Sequence, residues 1–148
     1  MVWWRREKKI TIRVVELEEE GVHIVCRNGS SSKHWWIIDT GASTSVIDED
    51  FTDQLEITNK EETLVTAGIK DSNLQTQYVE VEKISLGTHV FRHTKAIKMS
   101  LAHINQIYQD CVDIEICGII GCDFLARHRA TIDLNKENII IPEQSVKH

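Results

Sequence analysis

β-Branched side chains limit what this chain can fold into: 43 of its 148 residues are Ile, Val or Thr, and only one is Pro. Such side chains are stiff at χ1 and fit a pleated surface better than a helix. A mostly β protein is expected, long enough to build one core without metal or disulfide staples. No apolar run approaches the roughly 20 residues that span a bilayer. The start, Met1-Val2-Trp3-Trp4-Arg5-Arg6, puts its charges after the apolar residues, the wrong order for a secretory signal. A soluble cytoplasmic protein with no membrane partner is expected. The formal charge of -6 disfavours nucleic acid as a partner, because phosphate binding wants clustered cations. Arg5, Arg6, Lys8 and Lys9 read as a solvated terminus.

Alternation marks Lys9 to Val15 as a strand, Glu16 to Gly21 as an acidic turn and Val22 to Arg27 as the second arm of a hairpin. Asn28-Gly29 with Ser30-Ser31-Ser32 reads as a loop. His34-Trp35-Trp36-Ile37-Ile38 is a short apolar run, as expected of a strand covered on both faces. Asp48 to Leu55 has room for one or two helical turns. Thr63 to Thr66 is a strand candidate and Gly68 to Asn73 a turn. Gln75 to Leu86 and Val90 to Met99 form a long hairpin about Gly87-Thr88. Leu101, Ile104, Ile107 and Tyr108 recur at helical spacing. Ile116 to Ile120 is a second apolar run. Asp123 can cap a short helix over Phe124 to His128. Ala130 to Leu134 and Asn138 to Ile141 form a closing hairpin.

Two segments carry chemistry. The first is Ile37-Ile38-Asp39-Thr40-Gly41-Ala42-Ser43, and the second, far downstream, is Ile119-Ile120-Gly121-Cys122-Asp123-Phe124-Leu125. A carboxylate at the end of a buried strand sits at the edge of a core. There its ionised form is poorly solvated and its pKa is open to tuning. A glycine two residues on permits a tight turn, and the Thr40 and Ser43 hydroxyls can brace it.

This pair of motifs resembles the retropepsin-like aspartic proteases, the single-domain bacterial members more than the viral enzymes. Gln75 to Leu86, Leu101-Ala102-His103-Ile104-Asn105 with Tyr108, and Ala130-Thr131-Ile132-Asp133 extend the likeness over about Lys9 to Pro142. The resemblance implies an all-β fold, a small closed acid-protease barrel with one or two short helices, as a single domain over residues 1–148. It also implies an aspartic endopeptidase that cleaves a peptide or protein substrate with water and needs no metal or cofactor. Asp39 would be the catalytic aspartate, Thr40 would lock its loop to a twin, and Gly41 would let the loop turn and approach substrate. Ala42 and Ser43 would support the loop, and Ile119, Ile120 and Gly121 would pack beside it. Ala67, Gly68, Ile69 and Lys70 would belong to a flap tip running to Asn73.

The family's chemistry uses two carboxylates that share a proton, since like charges about 3 Å apart cannot both ionise. This chain has one Asp-Thr-Gly, and Asp48, Asp71, Asp123 and Asp133 lack the following Thr/Ser-Gly. The second carboxylate is therefore expected from Asp39 of another copy, across a twofold axis. A different reading is a non-catalytic module that keeps the fold and holds a peptide or partner in its cleft. A third is a hydrolase built on Asp39 and another residue of the same chain, active as a monomer. Two departures stand out. Cys122 occupies a position where viral relatives often carry Arg, and Ala67 to Asp71 holds one glycine where viral flaps are glycine-rich.

Cys26, Cys111, Cys117 and Cys122 lack paired C-x-x-C spacing and a matching His pair. Buried free thiols are expected in place of a zinc site. Cys111 with His103 has no nucleophilic motif behind it. Trp35 and Trp36 read as core and core rim, and His89 and His93, in a strand, as surface residues.

Overall fold

The computed structural model describes residues 6–64 and 76–143. Its strands are β1 (Glu7–Thr11), β2 (Arg13–Leu17), β3 (Gly21–Arg27), β4 (His34–Ile38), β5 (Val46–Asp48), β6 (Ile57–Leu64), β7 (Thr76–Leu86), β8 (His89–Met99), β9 (Glu115–Ile120), β10 (Thr131–Asp133) and β11 (Asn138–Pro142). A 3-10 turn spans Thr52–Gln54, and two helices, α1 (Ala102–Val112) and α2 (Cys122–Arg127), complete the set. The strands form a large sheet in the order β2-β3-β4-β9-β5-β8-β7-β6 and a small one in the order β1-β11-β10.

The apolar run at His34–Ile38 has a structural cause. β4 lies between antiparallel β3 and parallel β9, and its two faces enter different cores. Trp36 and Ile38 join a cluster with Ile10, Ile139 and Ile141 of the small sheet and Phe124 of α2. Trp35 and Ile37 join a second cluster with Val15, Val25 and Tyr108, over which α1 lies. A strand covered on both sides has no solvent face to alternate with. Both tryptophans are buried, and the Trp36 indole N–H donates to the Ser85 carbonyl at 3.0 Å and to Asn28 Oδ1 at 3.3 Å. That gives the large ring a polar anchor inside an apolar cluster.

The expected closed barrel is not what forms. Among the described residues β2 pairs only with β3 and β6 only with β7, so the large sheet ends there in two unjoined edges. Its faces are covered by the small sheet and by α1, so closure is not needed to bury them. The strand expected over Lys9 to Val15 is broken for a related reason. Ile10 and Ile12 point into one cluster, Val15 and Leu17 into the other. The chain therefore leaves one sheet and enters the other at Ile12, whose N–H donates to the Glu137 carbonyl at 3.1 Å.

Other elements differ in extent. Asp48 ends β5, leaving the 3-10 turn where one or two helical turns were expected. α1 runs to Val112 and stops at Asp113, which adopts a left-handed conformation (φ 54°). α2 starts at Cys122 with Gly121 as its N-cap, so Asp123 lies inside the first turn and is not the cap. The expected turn over Gly68 to Asn73 lies outside the described residues. No helix among the described residues is long and apolar enough to cross a membrane.

Close packing at the centre of the large sheet rests on one glycine. The β4–β9 register shifts between Trp35 and Trp36, which brings Gly118 opposite Trp36. A Cβ at Gly118 would lie 2.4 Å from the Trp36 ring and 2.4 Å from the Val46 carbonyl oxygen. Backbone cannot retreat as a flexible side chain can, so the overlap must be relieved by moving β5 or the indole. Gly118→Ala is expected to cost about 3 kcal/mol of unfolding free energy, measured by urea denaturation against wild type.

Candidate active site

Asp39 follows the last residue of β4. Its N–H donates to the Ile120 carbonyl at 2.9 Å, the final backbone tie between this loop and the end of β9. The chain then reverses. Ala42 N–H donates to the Asp39 carbonyl at 3.2 Å, closing a four-residue turn. Gly41 N–H donates to Asp39 Oδ1 at 2.9 Å, which folds the carboxylate back over its own loop. A Cβ at Gly41 would come within 3.2 Å of that oxygen, so a side chain there would crowd the arrangement. Asp39, Thr40, Gly41 and Ser43 are exposed, and Ala42 is half-buried.

The second motif braces the first from behind. Cys122 N–H donates to the Ala42 carbonyl at 2.7 Å, and Cys122 Sγ to the Thr40 carbonyl at 2.9 Å. Gly121 N–H donates to Ser45 Oγ at 2.9 Å, and the Ser45 hydroxyl donates to Asp123 Oδ1 at 2.7 Å. The Asp123 carboxylate also receives Ser45 N–H, at 3.0 and 3.1 Å, and Phe124 N–H at 2.8 Å. Gly121 allows this approach: a Cβ there would lie 2.7 Å from the Ala42 carbonyl oxygen. Ile120 is buried and Ile119 half-buried beside the loop.

The sequence offers the Thr40 and Ser43 hydroxyls as braces of the loop. The structure places the bracing hydroxyl at Ser45, which is 2% exposed. The signal was present in the downstream motif, since a carboxylate at Asp123 close to a strand end needs donors. Other carboxylates without a following Thr/Ser-Gly have structural partners. Asp48 Oδ1 accepts Leu101 N–H at 3.0 Å, and Asp133 Oδ1 accepts Lys136 N–H at 3.0 Å. The candidate flap residues Ala67, Gly68, Ile69 and Lys70 lie outside the described residues.

Beside Asp39 and Thr40 opens a cavity of about 460 Å³. Ile24, Ile104, Ile107 and Ile119 give it aliphatic walls, so the helical stripe noted in the sequence serves the cavity as well as the core. Its polar corner was not foreseen. His23 Nε2 lies 3.1 Å from the Glu20 carbonyl and Nδ1 lies 2.5 Å from the Tyr108 hydroxyl. A carbonyl only accepts, so Nε2 carries a proton; in the neutral ring Nδ1 then accepts from the Tyr108 hydroxyl. Burial pushes the Tyr108 hydroxyl up to about 12, and the negative charge of Asp39 pushes in the same direction. The phenol therefore stays neutral across the physiological range.

The cysteines divide into two pairs, which corrects the expectation that all four are buried. Cys26 and Cys117 are buried, whereas Cys111 and Cys122 are exposed. Burial pushes the Cys26 thiol up to about 12, partly offset by a hydrogen bond from the Gly87 backbone, and pushes Cys117 well above the usual thiol range. Only a thiolate attacks an alkylating agent, and a raised pKa leaves almost none at pH 8. Iodoacetamide at pH 8 is expected to label Cys111 and Cys122 in the folded chain and all four cysteines after denaturation, read by mass spectrometry. Rapid labelling of Cys26 or Cys117 in the folded chain would contradict the burial described.

A family model described as aspartyl protease matches residues 24–124, a span that contains the first motif and the second through Phe124. No curated protein matches the chain. Among solved structures, a retropepsin-like aspartic protease from Rickettsia conorii is similar at a TM-score of 0.50 with 16% sequence identity, over 96% of each chain. At that identity the likeness speaks to the fold alone. On the family match, supported by the shared architecture, the chain belongs to the aspartyl protease family and carries a mostly β, retropepsin-like fold.

Proposed function

We propose that this protein is an aspartic endopeptidase, a single domain that works as a homodimer. The observation that carries this reading is the state of Asp39. Its carboxylate is held from behind by Gly41 N–H and by a loop tied to β9, yet it faces solvent at the mouth of an apolar cavity. A lone carboxylate has no second one beside it with which to share a proton. A second copy of the same loop, docked on the exposed Asp39–Thr40 surface, would bury it beside a like charge, the arrangement in which one proton is shared by two carboxylates.

In that arrangement the ionised member of the pair takes a proton from water, and the protonated member donates to the scissile carbonyl. Gly41 fixes the direction of Oδ1, so each carboxylate enters the dimer already oriented. Such orientation removes an entropy cost from the chemical step. The aliphatic cavity beside Asp39 suits an apolar substrate side chain next to the cleaved bond. No metal or cofactor is invoked in this proposal.

Asp39→Asn keeps the shape of the loop and removes the charge. It is expected to lower peptide hydrolysis by about 10²–10⁴-fold with little change in melting temperature, and equal rates in the two proteins would end the enzymatic reading. Specific activity should rise with protein concentration as copies pair, in step with the dimer fraction from sedimentation. A strict monomer that binds peptide without cleaving it would favour the binding module, and a fully active monomer the single-chain hydrolase.

The dependence on pH has a definite sign. Loss of the shared proton as pH rises removes the acid, and protonation of both carboxylates as pH falls removes the base. Hydrolysis should follow a bell with two apparent pKa values that belong to the pair. A flat profile between pH 3 and 8 would contradict a shared proton.

A further inference from the structure

The cavity at the other end of the α1-covered sheet face has no role in the reading above. It holds about 440 Å³ and lies where β1 passes into β2, against the 28–33 loop and the Gly87-Thr88 turn. The register explains what gathers there. Arg13 pairs with Val25, Val25 with Ile37, and Arg27 with Trp35, so Arg13, Arg27 and Trp35 share the face that carries Ile37. Trp35 stands four residues before Asp39 on the same chain segment, roughly 13 Å along an extended strand.

The charge distribution is one-sided. Lys9, Arg13 and Arg27 line the cavity and no Asp or Glu does, in a chain whose formal charge is -6. The Arg27 guanidinium lies 4.8 Å from the Trp35 ring centroid and that of Arg13 lies 5.9 Å from it. Among the described residues none of the three cations is ion-paired. Arg27 is further held by a bond from Nη1 to the Ser30 carbonyl at 3.2 Å. The rim is also fixed in place: Asn28 N–H donates to the His34 carbonyl at 2.9 Å and Gly87 N–H to the Arg27 carbonyl at 2.7 Å. Two guanidiniums gathered at one indole give the cavity a local positive charge that an anion would offset. A carboxylate is the ligand whose two oxygens match the guanidinium fork.

We propose that this cavity is a docking site for an acidic peptide segment, with Arg13, Arg27 and Lys9 binding its carboxylates and the Trp35 ring taking an apolar side chain between them. The indole and the volume exceed what a single inorganic anion would fill. The negative charge of the rest of the chain opposes a long nucleic-acid polyanion. Docking here is separate from Asp39 and does not depend on whether that residue is catalytic.

Calorimetric titration of the full chain with acetylated Glu-Glu-Leu-Glu-Glu tests the proposal, with Lys-Lys-Leu-Lys-Lys as the charge-reversed control. Saturable binding of the acidic peptide alone is expected, weakened at least about tenfold in Arg13→Gln/Arg27→Gln and by 0.5 M salt. Binding should be unchanged in Lys98→Gln, at the far end of β8, and in Asp39→Asn. Should the glutamine pair impair folding, as judged by melting temperature, the Arg13→Lys/Arg27→Lys pair keeps the charge but loses the fork, and is expected to bind several-fold more weakly. Equal affinity in wild type and both double variants would overturn the proposal, as would no saturable binding by wild type at millimolar peptide. Inorganic phosphate competing as well as the peptide at equal concentration would reduce the site to a simple anion patch. Salt-sensitive self-association that disappears in Glu18→Gln/Glu19→Gln would assign the cavity to a second copy of this chain and likewise overturn it.

Discussion

The Ser45 hydroxyl ties together segments 78 residues apart in the chain, accepting a hydrogen bond from Gly121 N–H and donating one to Asp123. The Asp123 carboxylate gathers three donors, two from Ser45 and one from Phe124 N–H. Hydrogen bonds to a charged group contribute about 1.5–3 kcal/mol each, and the chain from Gly121 N–H through the Ser45 hydroxyl to Asp123 polarises its members in turn. This knot holds the start of α2 against the chain entering β5, and with it the Cys122 N–H that braces Ala42. The Asp39 turn therefore owes its shape to bonds that do not involve Asp39. A carboxylate on an unbraced surface loop would sample many directions; here two glycines let backbone close in on both sides.

β4 has a second organising role. It is the strand from which both cavities are reached. At its end lies Asp39 with the aliphatic pocket, and near its start lies Trp35 between two arginines. Between them α1 covers the same face through Tyr108 and its neighbours. One strand buried on both sides thus sets the spacing of an acidic and a basic site on a common, rigid frame.

Much of the frame was legible in the sequence. The apolar runs at His34–Ile38 and Ile116–Ile120 and the long hairpin after Gln75 carry periodicities that match their burial. The motif pair pointed to the family, and the 24–124 match covers it through Phe124. What escaped has physical reasons. The alternation of buried residues changes parity between Ile12 and Val15, a sign that the strand changes sheet, but a single window reads it as one strand. A closed barrel is a statement about which edges meet, and side-chain patterns describe faces, not edges. Ser45 was passed over because its partner lies far along the chain, and no local rule chooses between two serines two residues apart. The His23–Tyr108 corner was hidden for the same reason, its members coming from β3 and α1.

The small sheet brings together the far ends of the described chain. β1 pairs with β11 so that Ile10 faces Ile139, and Glu143 N–H donates to the Arg6 carbonyl at 2.9 Å. A contact between residues so distant in sequence closes a very large loop, and its entropic cost is met only when intervening structure has already brought the partners close. Ile10 and Ile139 also belong to the main core cluster. Folding of this molecule is therefore of high contact order, and its outermost ladder is the one that must wait for the interior.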